Sequence, residues 1–117
     1  MVKDKTEKFP HNVRIVRSSE YRALYKVGKK IHSERFVLFC RANDLGHLRL
    51  GITVSRKVGG AVVRNRIKRL LKEIFRRSLI QTPSQFDIVI NAKSGCAWVN
   101  YAELQGELLA AIHRIRI

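Results

Sequence analysis

Within residues 48–77 the spacing of hydrophobic side chains changes from a period of two to a helical period, and this change constrains the fold most. Residues 48–55 alternate strictly, which predicts a strand. Its apolar face carries Leu48, Leu50, Ile52 and Val54, and its other face carries Arg49, Gly51, Thr53 and Ser55. Residues 61–77 then show the stripe of an amphipathic helix, formed by Val63, Ile67, Leu70, Leu71, Ile74 and Phe75. We expect Gly59 and Gly60 to supply positive φ angles at the turn between them.

Four further elements are predicted around this unit. Ser18 is a suitable N-cap for a helix over about residues 19–27, which Gly28 would end. The β-prone run at 36–40 should form a hairpin with residues 48–55 through a turn at 43–46. A strand is expected at 86–90, after a loop that contains Pro83. A capping box at Asn100 and Glu103 predicts a last helix, whose apolar stripe is Leu104, Leu108, Leu109, Ile112 and Ile115.

The order of these elements, α-β-β-α-β-α, predicts an α+β two-layer sandwich in which helices pack on one sheet. The sheet has about four strands if residues 30–41 divide into two. The 117 residues fit one domain, and we expect the polar, basic residues 1–12 to form a flexible arm.

The charge of the chain is concentrated in its middle. The net charge is +15, and residues 49–77 contribute most of it, with ten basic side chains and Glu73 as the one acid. The C-terminal residues 78–117 are neutral overall. A concentrated basic block indicates a surface for a polyanion, and nucleic acid is the first candidate.

The polar side of the helix over 61–77 is the expected binding face. Arginine binds phosphate through two parallel hydrogen bonds, asparagine can pair with base edges, and a helix N-terminus also favours anions. An ordinary solvated basic face is the alternative interpretation. The residues that carry this prediction are Arg64, Asn65, Arg66, Lys68 and Arg69.

Tyr21 and Tyr25 suggest a second surface. They are spaced as helix core residues would be, which is the simpler interpretation. However, Thr53 and Ser55 make the facing side of the strand small and polar. Aromatic side chains beside such a strand could stack on bases of a single-stranded nucleic acid.

Several classes of protein do not fit the sequence. Its apolar runs are too short to span a membrane, and its two cysteines, Cys40 and Cys96, suit reduced thiols in a cytoplasmic protein rather than a disulfide scaffold. The four histidines are scattered and the carboxylates are unclustered, so we expect no catalytic residue and no metal site in this chain. The Gly59-Gly60 pair lacks the Gly-Lys-Ser/Thr of a nucleotide-binding loop.

Residues 49–73 resemble the signature of the bacterial ribonuclease P protein subunit. The core of the signature is the motif Arg64-Asn65-Arg66 after a glycine turn. The resemblance extends upstream through Ser18-Ser19-Glu20-Tyr21 and Phe36-Val37-Leu38-Phe39, and downstream through Phe86-Asp87-Ile88-Val89-Ile90 to the final helix. It thus covers nearly the whole chain.

This resemblance implies a subunit that is inactive alone and assists an RNA that cleaves the 5′ leader from precursor tRNA, with magnesium held through the RNA. It implies a left-handed β-α-β crossover, a monomer when free, and a 1:1 complex with the catalytic RNA in the cytoplasm. The residues implied to bind that RNA are Arg64, Asn65, Arg66, Lys68, Arg69 and Lys72. Those implied to bind the single-stranded leader are Tyr21, Tyr25, Phe39, Thr53, Ser55 and Lys57. The first-helix positions are often Phe in the family, and tyrosine preserves stacking there.

Three alternatives stay open at this point. A ribosomal-type structural protein would bind folded RNA without any role in cleavage. A DNA-binding module would place the basic helix in a major groove. An autonomous nuclease would cleave precursor tRNA without an RNA subunit.

Overall fold

A computed structural model describes residues 14–79 and 85–115, so the expected arm at residues 1–12 and the loop containing Pro83 lie outside the described residues. The three helices are α1 (Ser18–Val27), α2 (Ala61–Ile74) and α3 (Tyr101–Ile115). The strands are β1 (Lys29–His32), β2 (Phe36–Ala42), β3 (Arg49–Val54) and β4 (Phe86–Ala92). A π-helical turn, Phe75–Leu79, extends α2, and a 3-10 turn, Ser94–Cys96, precedes α3. None of the helices in this described part is both long and apolar enough to cross a membrane.

The four strands form one mixed sheet in the order β1-β2-β4-β3. β1 pairs antiparallel with β2, β2 pairs antiparallel with β4, and β3 runs parallel to β4. The predicted hairpin between residues 36–40 and 48–55 is therefore wrong, because β4 lies between those two strands. Ile88, Val89 and Ile90 are all buried, so β4 is covered on both faces, which is typical of a central strand.

The two faces of the sheet are covered unequally. The larger core lies between the sheet and the helices α2 and α3, and it includes Ile67 and Leu108. On the other face a smaller cluster joins α1 to the sheet through Leu24, Phe39 and Val89. The α+β prediction with three helices is confirmed, and the smaller cluster is the one that positions Tyr21 and Tyr25.

The β3-α2-β4 crossover is left-handed. The Leu50 carbonyl accepts a hydrogen bond from the Ile15 N–H on the edge of β3 that faces away from β4. The Leu50 side chain lies in the core on the α2 side of the sheet. The L-configuration at Cα fixes the side on which the carbonyl points once the directions of the chain and of the side chain are known. With the strands pointing up and α2 toward the viewer, the Leu50 carbonyl points right, so β4 lies to the left of β3. This confirms the handedness that the resemblance implied, against the general right-handed rule.

The N-terminal ends of the helices agree only in part with the capping predicted from the sequence. The capping box is present, since Asn100 Oδ1 accepts the Glu103 N–H at 2.8 Å and Glu103 Oε1 accepts the Asn100 N–H at 3.4 Å. Ser18 is not an N-cap, because α1 begins at Ser18 after Arg17 and has no side-chain cap.

The glycine turn also differs from the prediction. Gly60 has φ −72°, and among the described glycines only Gly46 has a positive φ. Gly59 instead avoids a close contact, because a Cβ at this position would lie 3.0 Å from the Val63 side chain.

Candidate nucleic-acid interface

Helix α1 places two tyrosines over the smaller face of the sheet. The Tyr21 and Tyr25 ring centroids lie 6.4 Å apart, and Tyr25 meets the Phe39 ring edge-on at 4.8 Å. Tyr25 is 39% exposed, whereas Phe39 is only 9% exposed beneath it. The three rings that the resemblance implied for one site lie together, and Tyr25 is the most exposed of them.

The Tyr25 hydroxyl is anchored to two strands. It donates a hydrogen bond to Asn91 Oδ1 at 3.1 Å and lies 3.3 Å from Thr53 Oγ1. Thr53 and Asn91 are register partners in β3 and β4. Sequence reasoning missed Asn91, although it continues the alternation of Asp87 and Val89 along the face of β4 opposite the larger core.

Tyr21 is held more deeply than Tyr25. Its hydroxyl donates to the Ile15 carbonyl at 3.2 Å, and its ring lies against Gly51. Burial raises the pKa of Tyr21 above its ordinary value, which outweighs the lowering by a backbone hydrogen bond at Ile52. The phenol therefore stays a neutral hydrogen-bond donor at physiological pH. We call Tyr21, Tyr25, Phe39, Thr53 and Asn91 the aromatic surface.

Three cationic or polar side chains extend this surface. Ser55 and Lys57 are exposed and follow the C-terminal end of β3, near Thr53 along the chain. Lys30 was not predicted, and its Nζ lies 5.6 Å from the centre of the Phe39 ring, within cation–π range. Lys30 and Phe39 are register partners of β1 and β2, a relationship that sequence periodicity does not show.

The predicted RNA-binding residues of α2 differ in their exposure and in their hydrogen bonds within the protein. Asn65 and Arg69 are exposed. Arg64 is half-buried, and its Nε donates to the Gly59 carbonyl at 3.2 Å. The guanidinium of Arg66 donates to the carbonyls of Ala97 at 3.3 Å and Val99 at 2.7 Å, so part of its hydrogen-bonding capacity holds the loop before α3. We call Arg64, Asn65, Arg66 and Arg69 the basic helix face.

Lys68 and Lys72 lie next to Asn65 around the circumference of α2, on the side of the helix that adjoins Tyr21. One turn apart, they line a cavity of about 230 Å3 together with Tyr21, Gly51 and Arg14. The structure thus brings these two lysines to the edge of the aromatic surface. A second cavity, of about 260 Å3, is lined by Arg66, Arg69, Leu70 and Glu73. Helix α2 therefore links the two predicted binding surfaces.

An ionic network fixes α1 to the sheet. Arg49 donates to both carboxylate oxygens of Asp87, at 2.9 and 2.8 Å, and to Glu20 of α1 at 2.9 Å. Burial alone would raise the pKa of Asp87, but hydrogen bonds from Arg49 and Asn43 and the nearby arginine charges lower it below its ordinary value. Asp87 therefore stays ionised and holds Arg49 in place beneath the helix that carries the tyrosines.

No group of three or more His, Cys, Asp or Glu side chains that could hold a metal ion occurs within residues 14–79 and 85–115. The available chemistry of the site is cationic, hydrogen-bonding and aromatic. These groups can bind and orient a polyanion with unpaired bases.

Comparisons with known proteins point to the same family as the sequence motif. The Ribonuclease P family profile matches residues 9–116. The ribonuclease P protein component of Desulfovibrio desulfuricans is 44% identical over 110 residues, which cover 91% of this chain and 85% of that protein. The same component of Alkaliphilus metalliredigens is 32% identical, with 91% of this chain and 96% of that protein covered.

Solved structures agree with the fold. The RNase P protein of Thermotoga maritima superposes with a TM-score of 0.78 at 34% identity, covering 86% of this chain and 96% of that one. The RNase P protein of Staphylococcus aureus superposes with a TM-score of 0.77 at 30% identity, covering 90% of this chain and 96% of that one. This chain therefore belongs to the bacterial ribonuclease P protein family, whose members are subunits of an endoribonuclease that assembles with RNA.

Proposed function

We propose that this protein binds the catalytic RNA of ribonuclease P and the single-stranded 5′ leader of precursor tRNA, and that it thereby assists removal of the leader. The observation that carries the proposal is the position of α2, because Arg66 and Arg69 line one cavity while Lys68 and Lys72 line another together with Tyr21 of the aromatic surface. One helix can then contact both the catalytic RNA and the substrate.

The basic helix face is the proposed site for the catalytic RNA. Asn65 and Arg69 are exposed there, and Glu73 is engaged by Arg76 and Arg77 rather than by the residues of this face. The excess of positive charge on this face suits a folded RNA, because contacts to phosphates position an RNA without requiring a particular base sequence.

The aromatic surface is the proposed site for the leader. Tyr25 offers an exposed ring whose tilt is fixed by Phe39 and by the hydrogen bond to Asn91. Lys30 lies over the Phe39 ring, Lys68 and Lys72 line the cavity beside Tyr21, and the exposed Lys57 follows β3, so positive charge that suits a phosphate backbone adjoins the rings. An unpaired strand needs this combination of ring faces and cations, whereas a duplex hides its bases from stacking.

The chemical step belongs to the RNA in this proposal. The protein binds and orients the two RNAs, and magnesium is held through the catalytic RNA rather than by protein ligands alone. We further propose one protein for each catalytic RNA, a free monomer, and a cytoplasmic location.

Cleavage of a 5′-extended precursor tRNA at low magnesium concentration tests the proposal. Three mixtures are compared: the protein alone, a bacterial catalytic RNA alone, and both together. We expect efficient cleavage only with both, because the protein strengthens substrate binding. Cleavage by the protein alone would identify an autonomous nuclease. A mixture that matches the RNA alone, with RNA binding retained, would identify a structural RNA-binding protein.

A further inference from the structure

Trp98 is an exposed aromatic side chain on a loop that is otherwise well anchored. It is 79% exposed, although its neighbours Cys96 and Val99 are 0% and 3% exposed. The only tryptophan in the chain thus projects from the protein between two buried anchors. The backbone on both sides of it is also fixed, because Arg66 donates to the carbonyls of Ala97 and Val99.

This arrangement places Trp98 directly beside the basic helix face. The guanidinium of Arg66 bonds the carbonyls that flank Trp98, and Arg66 also lines the cavity of about 260 Å3 with Arg69. A large ring presented to solvent from a fixed loop beside cations matches a stacking platform for a base. A protein partner would more often cover such a ring within a wider apolar patch, whereas Arg66 beside Trp98 shares its cavity with the charged Arg69 and Glu73 as well as with Leu70.

We propose that Trp98 stacks on an unpaired nucleobase of the RNA that occupies the basic helix face, and that Arg66 positions Trp98 for this contact. The inference rests on the proposed function, since it requires RNA on α2. It adds a third contact, distinct from the aromatic surface, because Trp98 lies on the loop between β4 and α3 rather than on α1 or the opposite sheet face.

Fluorescence excited selectively from tryptophan reports on the surroundings of Trp98, because it is the one tryptophan. The protein is titrated separately with the catalytic RNA and with precursor tRNA, while binding is followed independently by filter retention. We expect quenching that tracks binding of the catalytic RNA. Quenching by precursor tRNA alone would instead assign the base to the substrate and still support stacking. Bound RNA that leaves the emission unchanged would overturn the inference while the proposed function stands.

Variants distinguish stacking from simple apolar contact. Trp98→Ala should weaken RNA binding by about 5- to 150-fold, the loss expected for one stacked base. Trp98→Phe should restore most of the affinity, and Trp98→Leu should not. Equal affinities for the Leu and Phe variants would contradict stacking. Leu45→Ala is a matched control, since Leu45 is also exposed (50%) but lies in the loop between β2 and β3.

The same titrations separate the failure of this inference from the failure of the proposed function. If wild-type protein is not retained with either RNA, the proposed function fails, and the Trp98 contact fails with it. If the wild type binds and Trp98→Ala binds equally well, only the Trp98 contact fails.

Discussion

The ring of Tyr21 lies directly on the backbone of Gly51. A Cβ added to Gly51 would sit 2.7 Å from the Tyr21 hydroxyl oxygen and 2.8–2.9 Å from two ring carbons. No side chain can occupy this position of β3 unless the tyrosine moves. The glycine thus allows a helix residue to pack directly against the edge strand, beside the two lysines of α2 that line the same cavity.

Replacement of Gly51 with Ala should therefore displace Tyr21 without unfolding the protein. If Tyr21 stacks on a leader base, affinity for precursor tRNA should fall by about 1–3 kcal/mol, while affinity for mature tRNA should change little. Equilibrium binding of both tRNAs to the assembled ribonucleoprotein measures this difference. Gly106→Ala is the control, because nothing lies within 4 Å of its added Cβ. It should stabilise α3 by about 0.5–1 kcal/mol and leave both affinities unchanged.

The ionic contact between Arg49 and Asp87 should make stability depend on pH in acid. The lowered pKa of Asp87 means that its contribution is complete above the unfolded value of about 3.9 and is lost as the pH falls through the folded value. Asp87→Asn should lower the free energy of unfolding by about 3 kcal/mol at pH 7, because it leaves Arg49 partly uncompensated. Urea unfolding at pH 7 to 3 should show the two proteins converging below pH 4. A constant difference over that range would be incompatible with this account.

Replacement of Arg66 and of Arg69 with alanine should have different effects on protein stability. Arg69 is exposed, so Arg69→Ala should leave stability unchanged and reduce the log–log salt slope of RNA binding by about 0.7–0.9 for each phosphate that the side chain neutralises. Arg66→Ala should also destabilise the fold by about 2 kcal/mol, because the Ala97 and Val99 carbonyls would then lack their charged donors. Thermal unfolding and salt-dependent binding separate these effects. An unchanged salt slope for Arg69→Ala would mean that this side chain is only solvated.

The two cysteines should be chemically inert in the folded protein. Both thiols are free and buried, and burial, with a smaller effect of Glu107, raises the pKa of Cys96 to about 11. The reactive thiolate is then scarce at pH 8, and the sulfur is shielded as well. Iodoacetamide should label the native protein far more slowly than the urea-denatured chain. Rapid native labelling of Cys96 would show that the loop before α3 opens, which would also weaken the argument for a fixed Trp98.

Local elements of this fold are predictable because their signals lie within one segment. The stripe from Val63 to Ile74 forms α2, Phe75 continues it into the π-helical turn, and the Asn100–Glu103 capping box begins α3. Strand β1 is harder to predict, because four residues with one buried side chain, Ile31, carry little periodicity. The sequence prediction missed the pairing of β2 with β4, although the continuous apolar run Ile88-Val89-Ile90 is typical of a central strand.

The residues of the candidate site also fall into those that a local pattern reveals and those that only strand pairing brings together. Tyr21, Tyr25 and Thr53 are recognisable because they lie in α1 and β3, whose patterns are clear. Asn91 and Lys30 join them through strand register, which periodicity does not specify. The left-handed crossover was implied only by the family resemblance, since general rules favour the opposite hand.

The most direct test of leader binding by the aromatic surface compares precursor tRNAs that differ only in leader length. Affinities of the assembled ribonucleoprotein are measured with wild-type protein and with Tyr25→Ala. We predict that wild-type affinity increases as the leader grows from none to several nucleotides, and that Tyr25→Ala removes about 1–3 kcal/mol of this increase. Affinity for mature tRNA should be equal for both proteins. If Tyr25→Ala weakens mature and precursor tRNA equally, the aromatic surface does not bind the leader.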